Sequence, residues 1–85
     1  MKLFKQAVSN DEDTAVFYTD QSLYCKHVDS SGKEDYRVNN DRKCRIALAE
    51  GVASLQINDR YAFTVIKGRL FQWPEVIEAL KEALS

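Results

Sequence analysis

The residue types best suited to nucleophilic or metal chemistry near neutral pH are scarce in this chain: one histidine, His27, and two cysteines, Cys25 and Cys44. Cys25 and His27 are two residues apart, so on a strand they would share a face. A thiol beside an imidazole is the pairing that nucleophilic catalysis uses. No third group to orient the imidazole and no oxyanion-binding loop accompanies them, so the pair is expected to pack or to face solvent. Structural zinc takes four ligands, whereas Cys25, His27 and Cys44 supply three, at a spacing that matches no zinc finger or ribbon. The cysteines show no Cys-x-x-Cys pairing and are expected to be reduced and to line the core. With three glycines in the chain, neither Gly-x-x-x-x-Gly-Lys nor Gly-x-Gly-x-x-Gly occurs, so no loop can cradle a nucleotide phosphate in those ways. The expectation is a protein that is not an enzyme and carries no cofactor or metal.

Binding chemistry is better represented. The acidic run Asp11-Glu12-Asp13 has nothing apolar around it to raise a carboxyl pKa; it reads as a solvated turn that could meet a basic partner. Arg37, Arg42, Lys43 and Arg45 form a basic stretch. On a strand, Lys43 and Arg45 would make a cationic rim suited to acidic side chains or phosphates. A third group is Arg60, Lys67, Arg69, Phe71 and Trp73. Aromatic residues among cations are what single-strand nucleic-acid platforms use, stacking bases while holding phosphates. Lys67, Arg69, Phe71 and Trp73 are spaced by two and would share a face if the backbone stayed extended, although Gly68 can break that phase. The competing reading makes Phe71 a core residue and Trp73 the staple of the helix that follows.

The elements that must position these groups are mostly strands. Leu3–Val8 alternates, with Phe4, Gln6 and Val8 on one face and Leu3, Lys5 and Ala7 on the other. Residues 9–13 are expected to turn, and 14–19, rich in β-branched and aromatic residues, to return as a strand. Leu23–Val28 and Glu34–Val38 flank Asp29-Ser30-Ser31-Gly32-Lys33, a hairpin signal in which Gly32 supplies positive φ. Residues 41–49 are ambiguous. Cys44, Ile46 and Leu48 alternate as on a half-buried strand, the favoured reading; Asn40 or Asp41 could instead cap a short helix ending before Gly51. Ala53, Leu55 and Ile57 make a further strand face. The segment 60–67 is apolar on both sides and reads as a central strand covered on both faces. Pro74 opens an amphipathic helix whose stripe is Val76, Ile77, Leu80, Ala83 and Leu84.

The 85 residues allow one core and one domain, 1–85. The expected fold is α+β: a curled, meander-like antiparallel sheet of about five to seven short strands with one C-terminal helix packed on it. The core is expected to include Phe4, Val16, Tyr36, Val38, Ile46, Leu55, Ile57, Phe63, Val65, Ile77, Leu80 and Leu84. The net charge of −1 provides no global field for nucleic acid or an anionic membrane, yet residues 9–36 are acidic and 37–49 basic. No apolar run is long enough for a membrane helix, and no secretory leader is evident, so the cytoplasm is the expected location. Strands followed by Pro74-Glu75…Leu80-Lys81-Glu82…Leu84 resemble the end of transcriptional-coactivator domains that bind single-stranded DNA as four-strand-plus-helix dimers. That likeness covers about a dozen residues, while the chain has more strand-like segments and lacks the basic N-terminal sheet, so it identifies no family. The leading expectation is a module that binds a larger protein or complex, as inhibitors, immunity proteins and phage- or plasmid-encoded modulators do. Its contacts would come from Asp11, Glu12, Asp13, Arg42, Lys43 and Arg45 and from an open β-edge. Single-stranded nucleic-acid binding through Arg60, Lys67, Arg69, Phe71 and Trp73 is the alternative, and self-association is a further expectation.

Overall fold

The structure, a computed structural model, describes residues 2–8 and 11–85. Its elements are β1 (Leu3–Val8), β2 (Asp11–Thr19), β3 (Tyr24–Val28), β4 (Glu34–Val38), α1 (Asn40–Ala47), β5 (Val52–Ile57), β6 (Ala62–Lys67) and α2 (Trp73–Leu84). All strand pairs are antiparallel. As the sequence indicates, the fold is α+β with a C-terminal helix on an antiparallel sheet, but the six strands divide into two sheets. Four form a sheet in the order β1-β2-β6-β5, and β3 and β4 pair only with each other.

Alternation along β2 and β6 decides which face of the larger sheet is covered. Ala15 and Phe17 on β2 lie beside Val65 and Phe63 on β6, and all four are buried. The Phe17 and Phe63 rings stack at 5.5 Å between centroids. Helix α2 lies over this face with Val76, Leu80 and Leu84, and Leu23 and Ile46 complete the cluster. Ala15, Phe17, Leu23 and Val76 are core residues the sequence reading did not name. The opposite face stays open. Phe4 and Tyr18, neighbours across β1 and β2, are exposed there, as is Ile66, and Val16 is only half-buried. Strand β6 is therefore central, as its composition suggests, but it is covered on one face rather than two.

Residues 40–47 are helical, contrary to the favoured strand. Asn39 Oδ1 accepts from the Arg42 N–H at 3.2 Å and caps the helix, and Gly51, at φ +92°, lies in the turn beyond it. Of the alternating residues only Ile46 is buried, while Cys44 and Leu48 face solvent, so the apparent period of two had no buried face behind it. A Cβ on Gly51 would come 2.8 Å from Val76 Cγ2 and 3.1 Å from the Phe71 ring, so this turn is pressed against α2. Phe71 is a core-packed residue.

The hairpin β3–β4 is an arm. Nearly every side chain on it is exposed or half-buried, and the molecule extends 48 Å along one axis against 24 and 21 Å across. Its tip is built by Asp29, whose Oδ1 accepts from the N–H of Ser31 and of Lys33 and from the Ser31 hydroxyl, with Gly32 at φ +85°. Its root is fixed by Leu23. That residue's N–H donates to the Arg60 carbonyl at 2.7 Å, its carbonyl accepts from Asn39 at 2.8 Å, and its side chain is in the core. Tyr36, expected in the core, is 56% exposed because β4 has no covered face. Phe4 is likewise outside the core, on the open face of the sheet.

Candidate protein-docking surface

The acidic run is not a loop. Asp11, Glu12 and Asp13 are the first residues of β2, while Ser9 and Asn10 of the expected turn lie outside the described residues. The strand accommodates three acids because each makes at least one hydrogen bond or ion pair within the domain. Asp11 accepts from Thr14 Oγ1 at 2.7 Å and from the Asp13 N–H at 3.0 Å. The Thr14 hydroxyl, then the Asp13 amide, hold the Asp11 carboxyl below its ordinary pKa. Glu12 gives its carbonyl to Trp73 Nε1 at 2.7 Å. Asp13 pairs with Lys67 Nζ at 2.7 Å.

That ion pair joins residues from two separate binding readings. Lys67 is 8% exposed, Asp13 32%, and the Lys67 ammonium also lies 5.8 Å from the Trp73 ring, itself 5.7 Å from Phe17. Lys5 approaches the same indole at 5.0 Å. The corner therefore holds α2 to β2 and β6. Beside it, Lys5, Ala7, Val8, Asp11, Glu12, Thr14 and Trp73 line an open cleft of about 650 Å³. One cation, Lys5, and two carboxylates, Asp11 and Glu12, line it, so no single ligand charge is selected.

The remaining residues of the basic-aromatic group do not gather. A turn at Gly68–Phe71, with the Phe71 N–H bonded to the Gly68 carbonyl, breaks the extended phase. Arg69 is exposed, Phe71 packs on the core, and Arg60 sits at the root of the arm. In the basic run, Arg42 Nη1 donates to the Ser22 carbonyl at 2.6 Å and ties α1 to the start of the arm. Arg45 pairs with Asp41 at 3.2 Å along α1, and Lys43 is exposed on the same helix. Lys43 and Arg45 thus form no strand rim.

Cys25 and Cys44 are free thiols and exposed, not core-lining: one is on an arm without a buried face, the other on the outward side of α1. Cys25 lies opposite Arg37 and His27 opposite Asp35 on one face of the arm. Among the described residues no group of three or more His, Cys, Asp or Glu could hold a metal ion. No helix of the structure is long and apolar enough to cross a membrane.

The opposite face of the arm is different. Its register places Tyr24, Lys26 and Val28 beside Val38, Tyr36 and Glu34. Lys26 and Glu34 pair at 2.8 Å, leaving an aromatic and aliphatic surface whose charge is internally neutralised. The Arg60 guanidinium lies 4.7 Å from the Tyr36 ring and 6.0 Å from that of Tyr24, so one cation spans both aromatics. Tyr36 and Val28 are both more than half exposed. The sequence carries a signal for this surface: β3 and β4 place charged or polar residues on both of their faces, and a strand pair of that kind has no side to bury. No family model, curated protein or solved structure matches this chain.

Proposed function

We propose that the domain is a protein-binding module whose main contact is the Tyr24–Val28–Tyr36 face of the β3–β4 arm together with Arg60. The observation that carries the reading is Tyr36, held under the Arg60 guanidinium at 4.7 Å yet 56% exposed. Tyrosine and arginine are enriched among the few residues that dominate binding energy at protein interfaces. The hairpin register places the Tyr36 backbone, the Leu23 N–H bond to the Arg60 carbonyl places that of Arg60, and the guanidinium–ring contact brings their side chains together, which lowers the ordering cost on binding. The arm's outer edges can also accept an added strand. A module of this kind acts by occupancy, as an inhibitor or modulator of a larger protein. The charged groups first considered for docking support the reading less, because Asp13, Arg42 and Arg45 are engaged within the domain. Nucleic-acid binding is also less supported, since Lys67 and Trp73 are used internally.

The test is quantitative affinity capture from lysate of the encoding organism, with nuclease, using wild type, Tyr36→Ala and Arg60→Ala. The expected result is a stoichiometric protein partner that each substitution weakens about tenfold or more, with circular dichroism unchanged. A partner retained equally by both variants would remove the arm from the account, and capture abolished by nuclease would remove the protein-binding reading itself.

A further inference from the structure

The four-stranded sheet has an uncovered face, and its chemistry selects what can cover it. Phe4, Tyr18 and Ile66 project there with 62%, 43% and 43% of their surface exposed. Between them runs the row Gln6–Val16–Thr64, in register across β1, β2 and β6. None of the regularly paired positions on this face carries a charge, in a chain of which 29% is charged. We infer that a second copy of this chain docks here, sheet against sheet, in a reversible two-fold dimer.

In a two-fold interface the same patch serves both partners, so any excess of one sign meets itself. A face without charge escapes that repulsion, and it also lacks the charge contrast that steers and selects a different partner. The net charge of −1 adds little long-range repulsion between copies. Pairing through the sheet edges is discouraged. On β1, Lys5 points to the helix-covered side and is held against Trp73, an inward-facing edge charge. On β5, a register shift between Val52 and Ser54 distorts the other edge. Stacked sheets pack about 10 Å apart through interdigitated side chains, which is the contact these exposed side chains can make.

Area sets the strength. Four strands about 4.8 Å apart and about five residues long cover roughly 300 Å² of sheet plane, against about 800 Å² per partner in a stable complex. The patch is smaller than that, so the dimer is weak and forms only at high protein concentration.

Sedimentation velocity over a range from about 10 µM to about 1 mM tests the proposal on wild type, Phe4→Lys, Ile66→Lys and Tyr36→Ala. The two lysine substitutions fall on different strands at exposed positions, and circular dichroism reports whether each remains folded. The expected result is a monomer–dimer shift in wild type that high salt does not weaken, abolished in Phe4→Lys and Ile66→Lys and kept in Tyr36→Ala. A wild type that stays monomeric at the highest concentration would overturn the inference. So would a dimer that survives both lysine substitutions, or one lost only in Tyr36→Ala, because association would then run through the arm or an edge. The proposal uses a surface separate from the arm's, so its failure leaves the arm reading standing.

Discussion

Asp13 and Lys67 show how strongly position changes the meaning of a charged residue. In sequence one belongs to an acidic run and the other to a basic-aromatic group, and each suggests a partner outside the chain. Folding makes them partners of each other at 2.7 Å. The two ends of the pair are unequally buried, and that fixes the order of mutational cost. Asp13→Ala leaves a nearly buried ammonium uncompensated and is expected to cost about 3 kcal/mol. Lys67→Met leaves a carboxylate that water can still reach and keeps the packed stem, and is expected to cost about 1 kcal/mol. Urea unfolding of the two variants checks this, and the reverse order would show that the corner is held by something other than the pair. Asp29 makes a second residue-scale case. The Ser31 hydroxyl, then the Lys33 amide, hold its carboxyl below the ordinary value. A depressed carboxyl stabilises the fold above its unfolded pKa of about 4 and loses that contribution as pH falls through the lower folded value. Wild type should therefore exceed Asp29→Asn in Tm at neutral pH, with the gap closing below about pH 4. A gap that is constant across pH would contradict the assignment.

At the scale of elements, the arm and the body are built on different principles. The body buries one face of a four-stranded sheet under α2. The arm buries almost nothing and is held by its Asp29 tip and its Leu23 root. Strands β1, β3, β4, β5 and β6 and helix α2 were legible, because alternation, β-branched and aromatic runs, Pro74 and a one-sided apolar stripe are local signals. Helix α1 was not: Cys44 and Leu48 mimicked a strand period that only Ile46 supports, and the deciding contact was the Asn39 cap. The start of β2 was hidden by three acids whose compensating partners, Trp73 and Lys67, lie far along the chain. Joining Cys25 to Arg37 through a two-residue turn shortens the arm while keeping its root. Thermal unfolding of that variant should shift by only a few degrees, since little apolar surface is lost. A collapse of cooperative unfolding would mean that the arm belongs to the core.

For the whole molecule, the division into body and arm is what brings Tyr24, Tyr36 and Arg60, distant in sequence, into one exposed surface. The hairpin itself could be read from Asp29–Lys33. That its strands leave the main sheet could not, because that follows from β2 pairing with β6, a contact between distant parts of the chain. For the same reason Tyr36 read as core and Arg60 as part of a nucleic-acid face, and only the fold brings them together. The two proposed surfaces, arm and open sheet face, leave different marks: on the proposed reading one would bind another protein, the other a second copy. The arm-shortened variant separates the first from everything else. Captured beside wild type from nuclease-treated lysate of the encoding organism, it should retain its fold and lose the stoichiometric protein partner. A partner held equally by the intact and the shortened protein would contradict the claim that the arm is the docking surface.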